Sequence, residues 1–131
     1  MSHAGFDGFG GLPHTRARGA AAEEAAERHL TAHGYRIVAR NVVTRVGEID
    51  IVALDGETLC FVEVKARASA EFGRAVEAVG RRKQERLIRA ASMFLARNRS
   101  KRACRFDVVA LDRREDGGWE VTLVRDAFGV R

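Results

Sequence analysis

The sequence is poor in cysteine and has no long apolar run. Its two cysteines, Cys60 and Cys104, are far apart and form no CxxC motif. Each lies in an apolar stretch, so we expect two buried thiols in a reducing cytoplasm rather than a disulfide. No apolar run approaches the ~20 residues of a membrane-spanning helix, and the N-terminus has no apolar segment of the secretory type. These absences argue against a disulfide scaffold or a membrane partner and predict a cytoplasmic globular protein.

The positive charge is concentrated in one part of the chain. The formal net charge is +5 and the sequence pI is about 10.0. Residues 81–105 hold ten Arg or Lys against a single acid, Glu85. The remaining sequence is therefore slightly acidic. A local positive field suits a polyanionic partner such as nucleic acid, although a solvated basic surface has the same composition.

The length of 131 residues suits one domain. Residues 1–18 are Gly-rich and unpatterned, which predicts a flexible N-terminal arm before a single domain over residues 19–131. Hydrophobic periodicity and turn residues predict two helices and five strands within that domain. The helices span Gly19 to about His33 and about Val76 to Asn98. The strands span Tyr35–Val43, Gly47–Leu54, Thr58–Lys65, Cys104–Leu111 and residues 119–124.

This order, α-β-β-β-α-β-β, predicts an α/β fold with a mixed sheet flanked by helices. The helix between the third and fourth strands implies that these two strands are parallel and joined by a right-handed crossover. The second and third strands have apolar residues on both faces, with Ile49 and Ile51 expected on one face and Val52 and Phe61 on the other. Such strands are typical of the covered centre of a sheet.

Charged residues interrupt these two apolar strands. Asp50 lies in GEID, and Glu63 and Lys65 lie in EVK. A hairpin whose loop is Asp55 and Gly56 would put Asp50 opposite Phe61. Alternating side chains then place Asp50, Glu63 and Lys65 on one face, with the carboxylates on a diagonal of roughly 7–8 Å between Cα atoms. A three-residue loop would instead send Asp50 to the other face.

The pattern leaves two interpretations of these charges open, a structural ion pair and a functional acidic site. An unpaired carboxylate among apolar residues costs several kcal/mol, and a cation would relieve that cost. We expect Mg²⁺, with Mn²⁺ as a substitute, held by Asp50, Glu63 and the carbonyl of Val64. Such a site suits phosphodiester hydrolysis, in which Lys65 would orient the attacking water or offset charge in the transition state.

Other residues have both a functional and a structural interpretation. Glu23 lies on the inward stripe of the first helix and could join the acids, or could interact with the helix dipole. Arg67 could bind a phosphate or be a solvated strand end, and Gln84 could touch the site or bond to a loop. Asp107 is expected to be structural or to support the site from behind. Phosphate contacts are predicted for residues of the second helix: Arg81, Arg82, Lys83 and Arg86.

Several motifs together resemble a known family. The runs GxxAEEAAERHL, GEIDIVALDGETLCFVEVKAR, KQxRL and FDVVAL occur in order between Gly19 and Phe128. They resemble the small bacterial YraN-type family, whose members are regarded as endonucleases and look like members of the PD-(D/E)xK, or restriction-endonuclease-like, superfamily. Its core order, α-β-β-β-α-β, agrees with the order predicted above.

The resemblance implies a role for each matching residue. Asp50 would be the metal-binding acid, Glu63 and Lys65 the E-x-K pair, and Glu23 the acid of the first helix. Lys83 and Gln84 match the motif of the second helix. Ala22 stands where many members have glycine, which leaves Glu23 in place.

Three functions follow as hypotheses. The first is a Mg²⁺-dependent endonuclease that hydrolyses DNA phosphodiester bonds, with structured or branched DNA among its substrates. The alternative is a nucleic-acid-binding module with a nuclease-like fold and little or no cleavage. A third is a hydrolase of small phosphate esters. The basic window favours the first two, and the acidic residues favour the first. A homodimer is left open.

Overall fold

The computed structural model describes residues 13–67 and 79–129, with side chains described from residue 19. Its elements follow the predicted order of two helices and five strands. The helices are α1 (Pro13–Ala32) and α2 (Arg81–Asn98). The strands are β1 (Arg36–Thr44), β2 (Gly47–Asp55), β3 (Thr58–Arg67), β4 (Cys104–Arg113) and β5 (Trp119–Phe128). Neither helix is long and apolar enough, over the residues described, to cross a membrane.

Both helices begin at different residues from those predicted. α1 spans Pro13–Ala32 and so includes residues 13–18, ahead of the predicted start at Gly19; proline is tolerated in the first turn of a helix. Residues 1–12 lie outside the described residues, and a flexible arm there stays a prediction. α2 begins at Arg81 rather than Val76, because Gly80 is extended, with φ −70° and ψ 167°, and forms the N-cap. Residues 76–78 also lie outside the described residues.

The five strands form one mixed sheet in the order β1-β2-β3-β4-β5. β3 and β4 are parallel and the other neighbours are antiparallel, which confirms the predicted parallel pair. α1 packs on one face of the sheet through Ala26 and Leu30. α2 packs on the other face through Leu87 and Phe94. The two central strands, β2 and β3, are therefore covered on both sides, as their apolar pattern predicts.

The hairpin between β2 and β3 corrects the predicted register. Asp55 pairs with Thr58, so the two-residue loop is Gly56–Glu57 and not Asp55–Gly56. Gly56 has φ +61°, which matches the first central position of a type II′ turn and leaves Asp55 in the strand. The loop has two residues, as predicted, so residues of β2 and β3 that were expected to share a face of the hairpin still share it. The register moves by two residues, and Asp50 lies level with Glu63 instead of Phe61.

β1 and β2 change face near Asp50, which the alternating pattern did not predict. Ile49 and Val52 both pack in the cluster beneath α2, although strict alternation would place them on opposite faces. The expectation that Ile49 shares the face of Ile51 is therefore wrong. The register places Asn41 of β1 between the partners of Ile49 and Ile51. Asn41 has φ 50°, a left-handed conformation that twists the two strands at this point.

The two cysteines are both free thiols, but only one is buried. Cys60 lies inside the cluster beneath α1. Cys104 is exposed, contrary to the prediction, because it is the first residue of β4 and follows an exposed loop. Its thiol donates to the Arg102 carbonyl over 3.4 Å.

Candidate active site

The candidate site lies where the central strands separate. The last antiparallel pair between β2 and β3 is Ile51 with Val62, and the next residues outward are Asp50 and Glu63. The Val64 N–H donates to Asp50 Oδ2 over 2.9 Å. The carboxylate of Asp50 thus accepts a backbone hydrogen bond that a neighbouring strand would otherwise accept. This bond fixes the orientation of Asp50 against β3.

The side chains of Asp50 and Glu63 lie close enough to influence each other's pKa. Glu63 is buried, with 8% of its surface exposed. Burial, together with the charge of Asp50, raises the pKa of Glu63 to about 7. Burial also raises the pKa of Asp50, against the lowering effects of the Val64 N–H and of Lys83. The hydrogen bond between the two side chains lowers the pKa of Asp50 and raises that of Glu63, so the two groups titrate together as a pair.

The ammonium group that reaches this pair belongs to Lys83. Lys83 lies in the first turn of α2, and its Nζ is 3.5 Å from Glu63 Oε2. The sequence predicts Lys83 as a phosphate contact and Lys65 as the positively charged side chain of the site. Lys65 lies two residues beyond Glu63 on the same strand and is half-buried. The signal for Lys83 was available: it precedes the buried Leu87 by four residues, which places it on the inward face of α2.

Glu23 lies on the other layer of the protein. It is a half-buried residue of α1, which packs on the opposite face of the sheet from α2. Within residues 13–67 and 79–129, no three His, Cys, Asp or Glu side chains form a group that could hold a metal ion. The pair of Asp50 and Glu63 is thus not joined there by a third acid, and the role of Glu23 stays a prediction.

The predicted phosphate contacts do not share one environment. Arg81, Arg82 and Arg86 are exposed on α2. Gln84 instead donates from Nε2 to the Val79 carbonyl over 2.8 Å, which is the loop bond of its structural interpretation. Arg67 is half-buried at the end of β3. The role of these residues toward nucleic acid stays a prediction.

The turn before β2 holds the site against α2. A Cβ atom on Gly47 would lie 3.7 Å from Arg86 Cβ and 3.8 Å from the Arg86 carbonyl oxygen. The start of β2 therefore packs closely on the helix that carries Lys83. This contact fixes the position of Asp50 relative to α2 as well as to β3.

The donor set of this site fits a hard divalent cation. Mg²⁺ binds oxygen ligands and often takes only one or two carboxylates, with water or phosphate completing its shell. Asp50 and Glu63 supply two carboxyl groups, and the Val64 carbonyl is the predicted third ligand. The raised pKa of Glu63 means that a cation would compete with a proton for the pair.

The fold and this site define an α/β protein with a mixed sheet and a buried carboxyl pair where its central strands separate. Residues 22–111 match the model of the uncharacterised protein family UPF0102. The chain belongs to this family, which is the YraN-type family that the sequence resembles.

The curated relatives carry only the family name. The UPF0102 protein of Symbiobacterium thermophilum is 50% identical over 115 residues, which cover 87% of this chain and 98% of the relative. That of Chlorobaculum tepidum is 48% identical over 118 residues, covering 86% and 92%. That of Ectopseudomonas mendocina is 42% identical over 112 residues, covering 84% and 92%. The similarity spans nearly the whole of these relatives.

Proposed function

We propose that this protein is a Mg²⁺-dependent endonuclease that hydrolyses DNA phosphodiester bonds. The observation that supports it is the buried pair of Asp50 and Glu63, with the pKa of Glu63 raised to about 7. Two neighbouring carboxyl groups with one ammonium at 3.5 Å are costly to keep in a folded protein. A divalent cation would offset that cost, and phosphodiester hydrolysis is the chemistry that such a site suits.

The residues of the site have distinct roles in this proposal. Asp50 and Glu63 hold the cation, with the Val64 carbonyl as a further ligand, and the Val64 N–H keeps Asp50 aimed at it. Bound Mg²⁺ supplies a charge that polarises the phosphate and lowers the pKa of a bound water. Lys65 orients the attacking water or offsets charge in the transition state. Lys83 compensates the charge of Glu63 while no cation is bound.

Nucleic acid is the proposed substrate because of the charge on α2. The exposed side chains of Arg81, Arg82 and Arg86 lie on the helix whose Lys83 contacts Glu63. Phosphate contacts from such residues bring a polyanion to the acidic pair without reading its sequence. A small phosphate ester would not need this extended basic surface.

The test combines metal binding with cleavage. Calorimetric titration with Mg²⁺ or Mn²⁺ is carried out on the wild type and on Asp50→Asn, and both proteins are incubated with branched, nicked and linear DNA. We expect the wild type to bind metal and cut at least one substrate. We expect Asp50→Asn to lose at least ~100-fold in rate, the effect typical of removing one charge-stabilising group in an active site. Cleavage that persists in Asp50→Asn would overturn the proposal.

A nucleic-acid-binding module with little cleavage is the second candidate. The Lys83 ammonium beside Glu63, and the raised pKa of the pair, accommodate the acids in part without any metal. Salt-dependent DNA binding by a wild type that takes up no Mg²⁺ and cuts no DNA would favour this module over the endonuclease.

A further inference from the structure

A cavity of about 200 Å³ lies between the second half of α2 and the edge strand β1. Its walls are mainly apolar, and its polar groups come from the end of α2 and from Thr44 of β1. Asn98 is held there by a hydrogen bond of 2.9 Å from its Nδ2 to the Phe94 carbonyl. The lining side chains that matter below are Val42 and Thr44 of β1 and Met93, Phe94, Arg97 and Asn98 of α2.

Four exposed arginines lead along α2 to this cavity. We call Arg82, Arg86, Arg89 and Arg97 the arginine stripe, since their spacings of four, three and eight residues put them on one flank of the helix. Met93 lies on the same flank, midway between Arg89 and Arg97, and lines the cavity. The close approach of Arg86 to Gly47 shows that this flank faces the turn between β1 and β2. The arginine stripe thus lies on the flank of α2 that carries Met93 and Arg97 of the cavity lining, and we call the stripe and the cavity together the groove.

The groove passes close to the candidate active site. Val42, which lines the cavity, pairs with Ile49, the residue before Asp50. With neighbouring strands ~4.8 Å apart and ~3.3 Å per residue, the cavity lies on the order of 10 Å from the acidic pair. One or a few nucleotides of a single strand span that distance.

We propose that this cavity receives an unpaired nucleobase, and that the arginine stripe binds the phosphates of the single strand that carries it. Proteins that bind single strands combine a basic groove with aromatic side chains on which the bases stack. Here the arginine stripe supplies the charge, and Phe94 lies in the cavity wall beside Met93. A base paired inside a duplex could not enter, because its faces and edges are covered by its neighbours. The location of the scissile phosphate near this groove rests on the proposed endonuclease function; the base cavity itself does not.

The experiment measures binding without cleavage. Asp50→Asn protein in EDTA is titrated by fluorescence anisotropy into a labelled oligothymidine and, separately, into a fully paired hairpin with the same number of phosphates. Ala96→Leu is made in this background to fill the cavity, because Ala96 is an exposed helical residue on its wall. Ser92→Leu is the matched control, since it adds the same side chain at an exposed position of α2 outside the cavity lining.

We expect Ala96→Leu to weaken oligothymidine binding by about tenfold, the loss of one base contact, and to leave hairpin binding within about twofold. Ser92→Leu should leave both unchanged. Arg89→Gln should weaken both ligands alike and lower the slope of affinity against salt by about one phosphate contact.

Three results would overturn the inference. The first two are unchanged oligothymidine binding by Ala96→Leu and an equal loss of hairpin binding. The third is a sedimentation coefficient that, without DNA, differs between Ala96→Leu and its Asp50→Asn parent. The last would mean that the cavity is filled by a second copy of the chain. Failure of the wild type to cut any DNA with Mg²⁺ would reject the endonuclease while leaving this binding result unaffected, so the two failures are distinguishable.

Discussion

Two buried acidic sites lie on opposite faces of the same sheet, where Asp107 of β4 pairs with Val62 beside Glu63, and they are partnered in opposite ways. Asp107 is fully buried and accepts hydrogen bonds from the Tyr35 hydroxyl at 2.7 Å, from Arg105 Nε at 2.9 Å and from the Asp126 N–H at 2.9 Å. Asp50 and Glu63 lie against each other, and the ammonium that contacts the pair is that of Lys83, 3.5 Å from Glu63. Both sites are buried, so burial alone does not separate them.

The partners of Asp107 are supplied by the fold itself. Arg105 also binds Asp55 Oδ2 at 2.7 Å, so it links β4 to the end of β2. The register of β4 and β5 is irregular between Phe106 and Val108, and Asp126 in that stretch of β5 has φ 54°. The Asp107 carboxylate accepts the N–H that this irregularity frees. We therefore interpret Asp107 as structural. The three residues Asp107, Arg105 and Tyr35 are called the Asp107 network below.

The contrast teaches that the supply of donors distinguishes the structural carboxylate from the pair that we propose as the active site. The Asp107 network brings a cation and neutral donors in fixed geometry, which is what a buried charge needs. Within the described residues, the pair of Asp50 and Glu63 has one backbone N–H and one ammonium for two carboxyl groups, and burial raises the pKa of both. Two carboxyl groups with raised pKa values are stabilised by binding a proton or a metal cation.

The largest expected effect comes from breaking the Asp107 network. Arg105→Leu leaves the fully buried Asp107 without its cation, so we expect the free energy of unfolding to fall by about 3–5 kcal/mol. Urea denaturation at pH 7 measures it. Arg102→Leu is the control, because its ion pair with Glu57 is exposed and should change stability by no more than about 1 kcal/mol. Equal losses in the two variants would remove the contrast between the sites.

Neutralising the other site should have the opposite sign. The folded protein holds the Glu63 proton up to about pH 7, whereas the ordinary pKa is 4.5. The folded state therefore binds more protons between these values, and the free energy of unfolding falls as the pH rises through this window. Glu63→Gln removes that loss, so we expect a gain on the order of 2 kcal/mol at pH 8 and little change at pH 5.

Denaturation of Glu63→Gln at both pH values measures this gain. Glu57→Gln, whose side chain is exposed, should show no such dependence on pH. A loss of stability in Glu63→Gln at pH 8 would mean that the acidic pair supports the fold.

The smallest expected effect separates the two lysines. Lys83 lowers the pKa of Glu63, so Lys83→Met should raise that pKa further, as measured by a carboxyl-carbon NMR titration. Its effect on stability should stay within about 1 kcal/mol, because the lysine is partly exposed. Lys65→Met is the matched control and should shift the pKa of Glu63 less. A larger shift of the Glu63 pKa in Lys65→Met than in Lys83→Met would mean that Lys65 is the lysine that interacts with Glu63, as the resemblance implies.

The sequence predicts the element order and the parity of the acidic residues, because both depend on local patterns. A two-residue loop was enough to put Asp50 and Glu63 together. Which two residues form that loop was not decided, because Asp55–Gly56 suits one turn type and a leading Gly56 suits another. The residues that distinguish the two sites are not local: Lys83 reaches Glu63 from a helix, and Tyr35 reaches Asp107 across 72 positions.

The bond from the Val64 N–H to Asp50 affects how mutants at this position must be read. Asparagine keeps a carbonyl oxygen that can accept that bond, whereas alanine leaves a strand amide with no acceptor. An alanine scan would therefore mix a folding defect with any chemical one and could make Asp50 look like a scaffold residue. Asparagine has the shape of aspartate and removes only the charge, whereas alanine also removes the oxygen. Comparing the two variants therefore separates the oxygen that aligns the strand from the charge that attracts a metal.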